Sequence, residues 1–149
     1  MRFIYVALVC VILASAAPSL ATETVKEPLA VKALALCPSR PNCVSSLAAD
    51  KARRMPPIAF TGPVAAAQER LLRVIRLIPR SEIVKDEPGY LAVIFLSRFF
   101  GFIDEAEFAF DLKGGVINFR SGARSGYYDF GVNRARLEKI RESFMKVNG

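Results

Sequence analysis

The chain is expected to adopt an α+β fold, an antiparallel sheet of about four to six strands covered on one face by two main helices. Three observations carry this expectation. Residues 104 to 120 alternate apolar and polar side chains around a Lys113-Gly114-Gly115 turn, the mark of a hairpin with one buried face. After Pro63, the residues Ala67, Leu71, Val74, Ile75 and Ile78 recur at helical spacing. After Asn133, so do Leu137, Ile140, Phe144 and Val147. A length of 149 residues accommodates one ordinary domain, not two.

The N-terminus carries the signals of export. Arg2 is a short basic region, Phe3 to Ala14 is apolar, and small residues follow at Ala14-Ser15-Ala16 and Ser19-Leu20-Ala21. That layout predicts a signal peptide over residues 1–21 and a periplasmic or extracellular mature chain. An uncleaved N-terminal membrane anchor is the rival reading, although the apolar run is short for a bilayer span. Cys10 follows Val9 rather than a small residue, so lipidation there is rejected. The whole chain has a net charge of +7. Cleavage after Ala21 removes one cation, Arg2, and no acid, leaving +6. A basic balance suits an anionic ligand, an anionic lipid or nucleic acid. Export, and the lack of an aromatic-interleaved basic ladder, exclude nucleic acid.

Residues 22–36 show no strong period and read as a flexible tether, followed by a single domain over 37–149. Cys37 and Cys43 are an even pair in an oxidising compartment, separated by Pro38 to Asn42, and are expected to form a disulfide. Their spacing is not that of a redox C-x-x-C, and two cysteines without histidine do not make a zinc site. No metal and no cofactor are expected. Val44 to Ser46 reads as a short edge strand, residues 47–57 as loop, and Ile58 to Phe60 as a second short strand. Thr61 or Gly62 caps the first helix, and Pro63 suits its first turn. Pro79 ends it.

Four strands follow. Ser81 to Asp86 leads into the Glu87-Pro88-Gly89 turn, and Tyr90 to Phe99 is apolar on both faces for most of its length. In the hairpin, Ala106, Phe108, Phe110 and Leu112 face the core, as do Ile117 and Phe119 across the turn. A loop centred on Lys113-Gly114 sets Glu107 opposite Arg120; one centred on Gly114-Gly115 makes them diagonal neighbours. Either way Arg120 is a candidate brace for Glu107. The last helix begins near Asn133, read as its N-cap, with Val132 and Leu137 as a hydrophobic staple and Arg134 pairing with Glu138.

Between the hairpin and that helix lies Arg120 to Arg136, RSGARSGYYDFGVNRAR. It is too rich in arginine, glycine and hydroxyl groups for packed core. Arg134 and Arg136 sit in the first helical turn, where the dipole disfavours cations, so a compensating anion is expected. The candidate ligand-binding residues are Arg120, Ser121, Arg124, Tyr127, Asp129, Asn133, Arg134 and Arg136. Guanidinium forks and helix-start N–H groups together suit a carboxylate or a phosphate, free or on a lipid headgroup. Arg124, between Gly122 and Gly126, is the arginine expected to face a ligand.

These residues fall in three stretches: Cys37-Pro38-Ser39-Arg40-Pro41-Asn42-Cys43-Val44-Ser45-Ser46, Phe102 to Phe108, and Arg120 to Arg134 with Arg136, Glu138 and Arg141 beyond. In these the chain resembles the DUF1499 family of bacteria and plastids, a domain of unknown function, over nearly the whole mature domain. The family loop usually reads Arg-Ser-Ala-Ser-Arg, and here Ala123 stands at the second serine. The histidine often found before the Pro56 region is absent. The resemblance implies a shared fold and site, and no activity.

The chain has no histidine, which removes Ser-His-Asp and Cys-His arrangements. Catalysis would fall to Ser121 or Ser125 near Asp129, or to the Asp104, Glu105 and Glu107 carboxylates. The serines lack an activating base, and the carboxylates read as a solvated sheet face. A non-catalytic anion-binding or accessory module is therefore the leading expectation. The alternatives are a histidine-free hydrolase-like enzyme and a purely structural or membrane-surface envelope protein, docking through Phe99, Phe100 and Phe102.

Overall fold

The computed structural model describes residues 32–98 and 100–147. The segment read as a signal peptide, and the one read as a tether as far as residue 31, lie outside the described residues. No helix among the described residues is long and apolar enough to cross a membrane.

The alternating stretch forms the long central hairpin. Strands β5 (Ile103–Asp111) and β6 (Val116–Ala123) pair antiparallel, with Glu107 directly opposite Arg120. That is the register of a turn centred on Lys113-Gly114. Leu112 falls in the turn and is exposed, so the buried alternation ends one position earlier than expected. Strand β4 (Tyr90–Leu96) flanks β5, and β3 (Ser81–Glu87) forms the outer edge with a register shift between Ile83 and Lys85. On the other side β6 carries two short strands, β1 (Cys43–Ser45) and β2 (Ile58–Ala59). The result is the expected antiparallel sheet, six-stranded, in the order β1-β6-β5-β4-β3 with β2 also on β6.

Helices α1 (Val64–Arg76) and α2 (Val132–Lys146) cover one face, as their apolar stripes require. Leu71, Leu72, Ile75, Leu137, Ile140 and Phe144 meet Leu91, Val93, Phe95, Phe108, Phe110, Ile117 and Phe119 from the sheet. Each of the larger side chains contributes about 1.5–3 kcal/mol by leaving water. Neither helix starts as its sequence suggested. Pro63 itself is the N-cap of α1, and no side chain caps it. In α2, Asn133 lies inside the first turn and is fully buried, so it is not the N-cap. The chain turns into α2 through Phe130 (φ 54°) and Gly131 (φ 75°), both left-handed. This places the Asp129 carboxylate over the helix start, where it accepts from the N–H groups of Gly131 and Asn133. The same turn leaves Val132 exposed, and the staple does not form. Replacing Asp129 with Ala should cost about 1–2 kcal/mol, the usual loss of a side-chain cap, read from urea melts. An unchanged midpoint would mean that water caps α2 equally well.

Cys37 and Cys43 are disulfide-bonded, with Cα atoms 5.6 Å apart. Residues 32–36, within the stretch read as tether, contact the sheet face that the helices leave open. Lys32 pairs with Glu87 and lies 4.3 Å from the Tyr90 ring centroid, and the Ala35 N–H donates to Glu107.

Candidate functional site

At one end of the sheet β6 leads into the arginine and glycine loop, and the partners of its four arginines decide what the loop can do. Arg120 lies on the open sheet face, its guanidinium 3.7 Å from Glu107. Glu107 also accepts from the Tyr90 hydroxyl at 2.6 Å. Burial, and then this bond to a carboxylate, push the Tyr90 phenol well above its ordinary range. Arg120 is therefore a brace within the sheet face.

Arg136 and Asp104 make a second brace on the helix-covered side. Their 2.7 Å ion pair is largely buried, and the guanidinium lies 4.5 Å from the Phe95 ring centroid. Arg136 also donates to Asn133 Oδ1, which accepts the Ser121 hydroxyl at 2.5 Å. Asn133 Nδ2 in turn donates to Asp129. Ser121, Asn133, Arg136, Asp104 and Asp129 thus form one connected network under the loop. Asp104 reaches across from β5 to supply the anion for Arg136, which lies just beyond the first turn of α2; the cation inside that turn is Arg134.

Arg124 forms a 2.7 Å ion pair with Glu105, and both side chains are substantially exposed. Pairs of this kind contribute about 0–1 kcal/mol. Arg134 does not pair with Glu138. It reaches the 50–54 turn, where its guanidinium donates to the carbonyls of Ala52 and Arg54. Arg120, Arg124 and Arg136 each meet a carboxylate. Arg134 meets neutral carbonyls and is in no ion pair with a carboxylate among the described residues.

Arg134 lines a cleft of about 310 Å³ together with Ser39, Asp50, Arg53, Tyr128 and Asp129. Three segments build its walls: the cysteine loop, the 50–54 turn and the end of the glycine loop. Asn42 ties two of them together by donating to the Gly126 carbonyl at 2.7 Å. Arg53 donates to Asp50 and to the Pro38 carbonyl. The Ala52 N–H, and then Arg53, hold the Asp50 carboxyl below its ordinary range, so it stays ionised. Both acids of the cleft are already engaged, Asp50 with these groups and Asp129 with the start of α2.

Of the sequence candidates, Asp129 and Arg134 line the cleft. Ser121, Asn133 and Arg136 lie in the buried network, and Arg120 and Arg124 lie on the sheet. Tyr127 is exposed on the loop, and its neighbour Tyr128 takes the place on the cleft wall. Sequence reasoning missed Ser39, Asp50, Arg53 and Tyr128. Ser39 was legible as part of the cysteine motif, but the 50–54 turn carries no periodic signal. Of the three phenylalanines assigned to a membrane surface, Phe100 and Phe102 are exposed, and Phe99 lies outside the described residues. Among the described residues no group of three or more His, Cys, Asp or Glu side chains could hold a metal ion.

Fold and site together define a two-layer α+β module, disulfide-tied at one end, with a cleft under an arginine-bearing loop. The family described as protein of unknown function (DUF1499) matches residues 33–144, and the chain belongs to it. A search of curated proteins returns no match.

Proposed function

We propose that the protein is an exported, non-catalytic binding module that takes a small anion in the cleft lined by Arg134 and Arg53. The observation that carries this reading is the charge on Arg134, which faces neutral carbonyls while the other loop arginines meet carboxylates. Three of the five guanidinium N–H groups remain for a ligand, in a geometry suited to a carboxylate or a phosphate. The non-catalytic reading is supported by the state of the candidate groups other than Ser125, which is exposed. Ser121 is fully buried and donates to Asn133, and Asp104, Glu105, Glu107 and Asp129 are each engaged by a cation or an N–H group.

Thermal-shift titration with inorganic phosphate, simple dicarboxylates and sulfated sugars tests the reading. At least one of these should raise the melting temperature saturably, because a ligand that binds the folded state stabilises it. Arg134→Lys should weaken the shift, since a point charge replaces a fork, and Arg134→Ala should abolish it. Arg124→Ala, outside the cleft, should keep it. A shift insensitive to Arg134, or none with any of these anions, would return the cleft to a structural role.

A further inference from the structure

The β4–β5 turn and the glycine loop were read separately in the sequence, and the fold brings them together. Asp104 is paired with Ala123, and the Arg124 N–H donates to the Ile103 carbonyl at 2.9 Å, so both loops leave the sheet at the same end. The link between α1 and β3 ends there too, because Ser81 pairs with Phe95 and the Leu96 N–H donates to the Arg80 carbonyl.

This end displays large apolar side chains to solvent. Phe100 is 78% exposed, Tyr127 73%, Phe130 86% and Leu77 83%, and Phe102 and Tyr128 are just over half exposed. They do not enclose a groove. A Cβ built at Gly101, Gly126 or Gly131 would meet nothing within 4 Å, so each loop has a side open to solvent at these positions. The rings form one pair in each loop, Phe100 with Phe102 at 5.6 Å and Tyr128 with Phe130 at 5.2 Å. Solvating so many rings at protruding tips is costly, and such a patch marks an interaction surface.

Charge indicates what covers it. The segments 76–80, 97–102 and 124–131 contain Arg76, Arg80, Arg98 and Arg124 against one acid, Asp129. Asp129 is engaged at the start of α2, Asp104 is paired with Arg136, and Glu105 is paired with Arg124, which lowers the cation excess of this end by one. Protruding aromatic rings set among arginines match the interfacial zone of a bilayer, where rings enter the headgroup region and guanidinium groups meet phosphates. We infer that this end of the domain docks onto an anionic lipid surface, with Phe100, Phe102 and Phe130 entering the interface. The inference does not rest on the anion cleft, since Phe100, Phe102 and Phe130 do not line it, although Tyr128, paired with Phe130, does.

The chain has no tryptophan, so one introduced indole reports on one place. Phe100→Trp and Phe130→Trp probe the docking end. Leu112→Trp, in the turn at the opposite end of the sheet, is the control. The full-length chain is mixed with phosphatidylglycerol vesicles with and without brominated acyl chains. The two end-placed indoles should shift to the blue and lose intensity to the brominated lipid, while the control should do neither. Vesicles of phosphatidylcholine alone should give a smaller response. Silence at both docking positions would overturn the inference and leave this end to a protein partner. Equal responses at all three positions would overturn it as well, because they would mean adsorption without orientation.

Discussion

Replacing Asp104 with Ala should destabilise the protein by about 3–5 kcal/mol, the range for removing one partner of a buried ion pair. Asp104 and Arg136 retain 9% and 14% of their side-chain exposure, and their atoms approach to 2.7 Å. Without the carboxylate, the Arg136 guanidinium would remain against the Phe95 ring with Asn133 as its remaining hydrogen-bond partner. A loss of this size is a large part of the 5–15 kcal/mol that holds a typical domain together. The double replacement Asp104→Leu with Arg136→Met removes both charges and should cost clearly less than Asp104→Ala. Urea denaturation of the three proteins measures the difference. Equal losses in the single and double variants would show that the volume at this position matters and its charge does not.

Reducing the Cys37–Cys43 disulfide should cost about 2.4 kcal/mol on the chain-entropy estimate for so short a loop. Cys43 is buried at the start of β1, opposite Gly122 of β6. A Cβ on Gly122 would come within 3.1 Å of the Cys43 Cβ, so the glycine is what lets the two strands approach. Asn42, beside the bond, holds the Gly126 carbonyl and so ties the glycine loop to the cysteine loop. Reduction should therefore lower the urea midpoint and also loosen the cleft. Limited proteolysis under reducing and non-reducing conditions should show new cuts within residues 37–43 and 124–131. A reduced protein with the same midpoint and the same cuts would show that β1 pairing alone holds this corner.

Much of this molecule is determined by local spacing. Residues that alternate along 103–123 must show one face to the core, which leaves two registers two positions apart, and the structure adopts the one that opposes Glu107 to Arg120. The stripes of α1 and α2 fix which helix faces are buried, because residues three and four apart share a face, with Val147 the exception, exposed at the C-cap of α2. The disulfide was legible from an even pair of cysteines across a short, proline-bearing loop.

Apart from Arg120 with Glu107, which the hairpin itself sets across from one another, partner choice was not legible, because it depends on distances that sequence spacing does not encode. Arg136 is held by Asp104, 32 positions away, because the stagger of β5 against β6 sets that carboxylate beside the start of α2. Arg134 reaches the carbonyl of Ala52, 82 positions away, since α2 begins beside a turn that carries no periodic signal. Asn133 looked like a cap by residue type, but the left-handed Phe130 and Gly131 turned it inward and gave that role to Asp129. The meeting of the two aromatic loops likewise follows from antiparallel pairing, which gathers distant turns at one end of a sheet. Sequence alone determined the layers, the alternation of the hairpin and the disulfide, and the structure chose between the two hairpin registers it left open. The tertiary structure decided which arginines are braces and which one faces a cleft, because an ion pair forms wherever packing brings opposite charges within about 4 Å.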